Sequence, residues 1–413
     1  MALGDFLLHS LHLGPVSLQK NLHPPIRKVG NVPRDRETLR NLPNSKTKSH
    51  PLNPPLIEDF FGNHVGYFPT PHPNIQTRSR SGSQFHTSRF AFASPSWGHF
   101  WKMVLVKELA LSTCWHADRV QDGAALLREA AETGFPSVEL GHNTRYSLWP
   151  GVLSAHGQPG MPKIAVLHNF CPVPVEVLRP HPNAYEFSDP RASARRLAER
   201  HTLETLEAAA TVGAKLVVLH LGSAGPRKRG EKLEALVMSG GRGSSTFVRE
   251  KLETVRTMER FFAQTWPRVE EILLRLGEKA AALGIRLGLE CRENVREIPP
   301  DDFWEQILQK LPAPTFGYWH DFGHAAAKEF LGLIDHGQHL RRLAPRLIGA
   351  HLHDYHPEKG DHLPLGQGSI PLSRLLPILP PEAHVSLELS PDVSAEDVRA
   401  SLAWWKQNQH PRS

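Results

Sequence analysis

The sequence predicts a (β/α)8 TIM barrel behind a disordered N-terminal leader. Three observations lead there. After Met103, eight short apolar runs alternate with longer segments of helical period. The last six runs in succession finish on or near a His, Glu or Asp. The turn after the first run, "STCWHADRV", lacks the glycine-rich phosphate loop of an open doubly wound sheet, and no Walker-type motif occurs.

The elements follow in order. The strand candidates are "ELALSTC", "PSVEL", "IAVLH", "KLVVLHL", "RLGLEC", "FGYWHD", "LIGAHLHD" and "HVSLEL". Helix candidates between them include "RVQDGAALLREAAETG", "RASARRLAERHTLETLEAAATVGA", "VREKLETVRTMERFFAQTWPRVEEILLRLGEKAAALG" and "DDFWEQILQKL". A last helix over "SAEDVRASLAWWKQN" takes Ser394 as its N-cap, with Glu396 and Asp397 in its first turn. Gly134, Gly213 and Gly284 stand where helices end before the next strand. "SGGRGSS" reads as the flexible part of a long loop after the fourth strand, equally a lid or a plain insertion.

Ahead of this, residues 1–102 are rich in Pro, Ser and Arg, with no pattern that builds a core. Disorder, or a true start at Met103, is favoured there over a targeting segment. The expected barrel domain is 103–410. The leader carries 12 Lys+Arg against 5 Asp+Glu, and the remainder carries 36 against 37 of the chain's 48 and 42, a balance of −1. A near-neutral barrel lacks the electrostatic footprint of a nucleic-acid binder. No apolar run is long enough to span a membrane. Cys114, Cys171 and Cys291 are far apart, which fits a reducing, cytoplasmic setting.

A parallel barrel brings its strand C-termini to one face, where barrel enzymes work. That face would collect Glu139, His168, His220, Glu290, Asp321 with His324, His351 with His353 and Asp354, and Glu388. A carboxylate at a buried strand end must be paired, solvated or metal-bound. The joint pattern predicts a divalent-metal site in which Glu290, Asp321, His351 and Glu388 surround the ion. Carboxylates with imidazole and no thiolate suit Mn2+, Mg2+, Co2+, Zn2+ or Fe2+. His351 and His353 are two apart, and the expectation is that only one reaches the mouth, with a surface place for His353 at least as good. His320 precedes Asp321, so it should face the other way and serve structure. His362 should return to the site after a tight turn.

At these residues the chain resembles the xylose isomerase-like barrel superfamily. "HNFCPVP", "VVLHLGS", "LGLECREN", "WHDFGHA", "HLHD", "DHLPLGQG" and "SLEL" stand in that family's order over about residues 107–408. The resemblance implies a sugar or sugar-phosphate isomerase or epimerase. It would hold one divalent ion with Glu290, Asp321, His351 and Glu388. Glu290 and Glu388 would move protons through a metal-stabilised enediolate. His324 would hydrogen-bond the substrate, and His168, His220 and His362 would line its site. The partner is then a small sugar, with room for a homo-oligomer. The superfamily's endonuclease IV branch, an apurinic-site zinc phosphodiesterase, uses more ligands, and His168, His220, His324 and His362 match its extra histidines. This chain departs where that branch has Asp-x-His: Gly360 stands two before His362, and the acid, Asp361, directly before it. A metal-dependent dehydratase of inositol-derived ketones is the remaining alternative. By this reading Glu290→Gln or Glu388→Gln abolishes turnover, whereas Glu139→Gln need not.

Overall fold

The computed structural model describes residues 108–226 and 228–408. The expected leader lies outside the described residues. Eight strands fall on the eight apolar runs: β1 (Leu109–Ser112), β2 (Ser137–Leu140), β3 (Lys163–His168), β4 (Leu216–Leu219), β5 (Arg286–Glu290), β6 (Phe316–Asp321), β7 (Leu347–Leu352) and β10 (His384–Leu387). All pair in parallel and close in the order β1-β10-β7-β6-β5-β4-β3-β2. This is a TIM barrel.

Helices pack around it. They include α1 (Gly123–Glu132), α3 (Ala192–Thr211), α5 (Ser245–Ala282), α6 (Trp304–Lys310), α7 (Phe322–Phe330), α8 (His336–Leu343) and α10 (Ala395–Asn408). Side chains start them where the sequence offers caps. Asp122 accepts from Ala125 N–H, Ser244 from Phe247 N–H, Asp335 from Gln338 N–H and Ser394 from Asp397 N–H. "SGGRGSS" is divided between the end of α4 (Glu231–Met238) and the Ser244 cap, with Arg242 donating to the Glu329 carbonyl. A hairpin of β8 (Asp354–His356) and β9 (Gly360–Leu363) follows β7, and the sequence did not announce it. No helix among the described residues is long and apolar enough to cross a membrane.

Strand alternation sets two layers. Outward residues such as Leu111, Leu140, Leu167, Val217, Leu219, Leu287, Leu289 and Leu387 meet Leu126, Leu206, Leu273, Leu276 and Leu402 of the helices. Each such side chain contributes roughly 1.5–3 kcal/mol by leaving water. Tyr318 and His320 also face outward. The Tyr318 hydroxyl lies 3.0 Å from His320 Nδ1 and 3.0 Å from His339 Nε2, and His320 Nε2 lies 2.9 Å from His336 Nε2. His320 is thus a buried structural group, as its place before Asp321 implies.

Inside, Val166, Val218, Trp319 and Ile348 form the barrel's floor. Trp319 is the bulkiest of them, and two glycines make room for it. A Cβ at Gly288 would lie 2.7 Å from its ring and one at Gly349 only 2.1 Å. The inward positions two residues beyond this floor are His168, His220, Glu290, Asp321 and His351, so the floor supports the mouth directly. The Trp319 and His351 rings meet edge to face, 5.2 Å between centroids. Gly349→Ala is therefore expected to cost about 1–3 kcal/mol through overpacking. The urea midpoint measures this, and an unchanged midpoint would mean that the ring has space to shift.

Candidate metal centre

The mouth residues are almost dry. Glu139, His168, His220, Glu290, Asp321, His324, His351, His353 and Glu388 are between 0 and 5 % exposed. Five carboxyl or imidazole pairs here are closer than 3.3 Å, and each has a definite geometry.

His351 is the hub. Its Nε2–H donates to Glu139, 3.1 Å from both oxygens. That bond turns Nδ1 toward Glu388 Oε2 at 3.0 Å, Asp321 Oδ2 at 3.6 Å and Glu290 Oε1 at 3.7 Å, yet Nδ1 makes no hydrogen bond. Three buried carboxylates around one such nitrogen require a positive charge there, either a proton or a metal ion. Burial alone would lower the imidazole's pKa, but Glu139, Glu388 and Glu290 hold it well above the ordinary value. The donor atoms of Glu290, Asp321 and His351, and those of Glu139, His351 and Glu388, form compact groups within 4.8 Å. The orphaned nitrogen and the oxygen-rich donors fit a divalent ion held by Glu290, Asp321, His351 and Glu388, with Glu139 as the outer carboxylate that orients the histidine.

Asp321 has a second duty. As N-cap of α7 its Oδ1 accepts from His324 N–H at 2.7 Å. The plain reading of an acid at a helix start and the ligand reading therefore apply to the same residue. His353 is not a surface group: it is fully buried, and its Nε2 lies 3.0 Å from Asp321 Oδ1. Residues two apart share a face of an extended chain, so His353 lies on the same side as His351, and both reach the mouth.

A second donor group lies toward β3 and β4. His168 Nδ1–H donates to the Asn169 carbonyl at 3.1 Å. His220 Nδ1–H donates to Asn183 Oδ1 at 3.1 Å, an orientation fixed because the Asn183 amide donates to Glu297 at 3.0 Å. Both rings then aim Nε2 lone pairs at Glu290 Oε2, 3.2 and 2.9 Å away. Burial and Arg292 push the His220 pKa down to about 3, so this ring is neutral at pH 7. A lone pair facing a carboxylate oxygen again calls for a cation between them.

The third group is His324, Asp361 and His362. Asp361 Oδ2 lies 3.7 Å from both His324 Nε2 and His362 Nε2. Adjacent residues of a strand point apart, but His362 has φ +54°, the one non-glycine with positive φ among the described residues. That left-handed turn brings Asp361 and His362 to one side and meets the Asp-x-His departure. His362 Nδ1–H donates to the Glu388 carbonyl at 3.2 Å.

A family model of the xylose isomerase-like TIM barrel matches residues 127–408. The chain belongs to this family. Among solved structures, 3-keto-D-glucoside 4-epimerase from E. coli is similar at 17% identity and a TM-score of 0.51, covering 73% of this chain and 99% of that one. A D-tagatose 3-epimerase-like protein gives 17%, 0.50, 73% and 98% in the same terms. D-allulose 3-epimerase from Methylomonas sp. gives 14%, 0.50, 73% and 98%. At such identities the likeness concerns the fold. No curated protein sequence matches the chain.

Within this family member, all eight site residues expected from the sequence converge on the barrel mouth. His168, His220 and His362 stand there as donors facing carboxylates. Others went unnoticed. Arg292 lies two residues after Glu290, hence on the same face of the extended chain. Its Nη1 is 2.9 Å from Glu290 Oε1. Glu293 contacts His324 Nε2 at 3.1 Å. Cys114 and His142 gather beside Glu388. Glu139 holds the hub histidine, a role the sequence reading did not give it.

Two outcomes follow. Glu139→Gln should weaken divalent-ion affinity about 10–100-fold in a folded protein, measured by titration calorimetry; unchanged affinity would remove Glu139 from the centre. Ion entry should also expel the proton of His351. Because its folded-state pKa is raised above the ordinary value of 6.5, affinity should climb as pH rises through the neutral range, by up to about tenfold per unit for each proton displaced. Calorimetry in buffers of different ionisation enthalpy reads that proton.

Proposed function

We propose that this chain is a divalent-metal-dependent isomerase or epimerase of a sugar or sugar phosphate. The observation that carries this reading is the unequal freedom of two carboxylates at one centre. Glu290 accepts from Arg292 Nη1 at 2.9 Å and is hemmed in by the His168 and His220 Nε2 atoms at 3.2 and 2.9 Å. Glu388 approaches the same His351 nitrogen from the far strand β10, and its carboxylate makes no hydrogen bond among the described residues. A free carboxylate beside a polarising site suits a base, and a pinned one suits a ligand that receives or returns a proton only in place.

Glu290, Asp321, His351 and Glu388 would hold the ion, which supplies Lewis-acid polarisation of a substrate carbonyl or hydroxyl. Glu388 removes the proton from the carbon next to that carbonyl. Glu290, on the β5 side, returns a proton to the opposite face. Burial would raise the Glu290 pKa, but the His220 and His351 imidazoles and the Arg292 guanidinium keep it well below the usual carboxylate range. Glu290 is thus ionised at rest, so it returns a proton to the opposite face only after taking one up from a substrate hydroxyl or water. His324 hydrogen-bonds a substrate oxygen at the α7 end. Its pKa stands at about 10: burial and Arg292 oppose this, and Asp321, Glu293 and Glu290 outweigh them. It therefore donates at neutral pH. The three cysteines are buried and unpaired, in accord with a reducing, cytoplasmic setting.

A second reading has its own observation. The His168–His220–Glu290 and His324–Asp361–His362 groups could hold further ions, which suits a phosphodiesterase of the endonuclease IV type.

The deciding experiment incubates the metal-loaded protein with a panel of ketoses, aldoses and their phosphates in D2O, and follows deuterium at the carbon beside the carbonyl. Glu388→Gln should lower exchange about 10²–10⁴-fold and weaken metal binding less than Glu290→Gln does. Glu290→Gln should lose both. Full exchange in Glu388→Gln would sink the mechanism, and cleavage of abasic DNA without sugar exchange would favour the second reading.

A further inference from the structure

Arg292 sits among the donor groups, and the readings above use it only as a partner of Glu290 and an influence on His324. Its side chain is only 13 % exposed. Nε donates to Glu297 Oε1 at 3.2 Å, Nη2 contacts Glu293 Oε2 at 3.0 Å and Nη1 donates to Glu290 Oε1 at 2.9 Å. Three carboxylates thus hold one guanidinium in a fixed orientation, and Glu297 is itself anchored by the Asn183 amide and by Asn294 N–H. A planar fork held on three sides does not swing like an exposed arginine.

Its position matters more than its pairing. His324 Nδ1–H donates to the Cys291 carbonyl at 3.1 Å, so Nε2 is the nitrogen left for a ligand role. Arg292 Nη1 lies 3.1 Å from that Nε2. A divalent ion on Nε2, shared with Asp361 and His362, would lie close to the guanidinium, whose Nη1 stands 3.1 Å from both ring nitrogens of His324. Two cations in a dry site repel strongly. Glu293, which touches both Arg292 and His324 Nε2, is already neutralised by the same guanidinium.

We propose that Arg292 is an internal cation that takes the place of a third divalent ion, so that the chain holds at most two ions and uses His324, Asp361 and His362 as hydrogen-bonding groups toward substrate. Arg292 is a positioning residue: it pins Glu290 and closes the His324 group to metal. This rests on the metal-centre reading above. It also separates the two functions, because a barrel restricted in this way keeps the carboxylate pair for proton transfer and gives up the three-ion cluster.

The test is metal stoichiometry, read by elemental analysis of the full chain after loading with excess Zn2+ or Mn2+ and gel filtration. Wild type should retain one or two ions. Arg292→Met should gain one ion, and Arg292→Lys should not. His324→Ala should leave the wild-type count unchanged, and this arm stands even where an Arg292 variant does not fold. Three ions in wild type, a folded Arg292→Met with the wild-type count, or an ion lost in His324→Ala would each overturn the proposal. No ion in wild type, with the same null result in His351→Ala, would instead sink the metal centre itself.

Discussion

The site depends on one constraint: buried carboxylates must be matched by positive charge. Glu139, Glu290, Asp321 and Glu388 converge on His351 with almost no access to water. In a dry interior an unmatched carboxylate costs several kcal/mol, so the groups around His351 are acceptable only with a cation at their centre. The imidazole can hold a proton there or yield its lone pair to a metal ion. Glu139 turns the His351 donor toward that point, Asn183 turns His220 toward Glu290 beside it, and Arg292 manages the charge left over.

The barrel makes this arrangement cheap to build. Alternation places every second strand residue inside, and parallel pairing keeps equivalent residues level, as where Asp321 aligns with His351 across β6 and β7. One layer, centred on Trp319 with Gly288 and Gly349 beside it, closes the interior to water. The next layer is therefore at once polar, desolvated and rigid. Those are the conditions under which a metal ion polarises a bound oxygen most effectively. Packing and chemistry are two residues apart on the same strands.

What the sequence revealed follows from the same geometry. The eight strands were legible because apolar runs of four to six residues end in residue types that do not belong in a core. Glu290, Asp321, His351 and Glu388 were legible as strand ends. The role of Glu139 was not, because its partner His351 lies 212 positions away and across the barrel. His353 was legible from spacing alone, because residues two apart share a face, and its place beside His351 follows from that. Asp361 was not legible in this way. Its convergence with His362 depends on a left-handed residue that no side-chain type requires. Arg292 was visible as a charge beside Glu290, but only coordinates reveal that three carboxylates hold it still.

The chemical reading turns on inequality between groups of the same type. If both glutamates at His351 were equally engaged, the centre would be a ligand cage and nothing more. Glu290 touches two imidazoles and a guanidinium, while Glu388 touches only the hub nitrogen. Proton abstraction from carbon needs a base that can leave its resting partner, and ion binding needs a donor that cannot. The barrel supplies one of each from strands on either side of β6 and β7. A phosphodiester cleaved by water would need a nucleophile held between ions, and the place where a bridging ion would support it next to His324 is occupied by Arg292. The balance of freedom and restraint among these side chains, more than their identity, points to proton transfer at carbon.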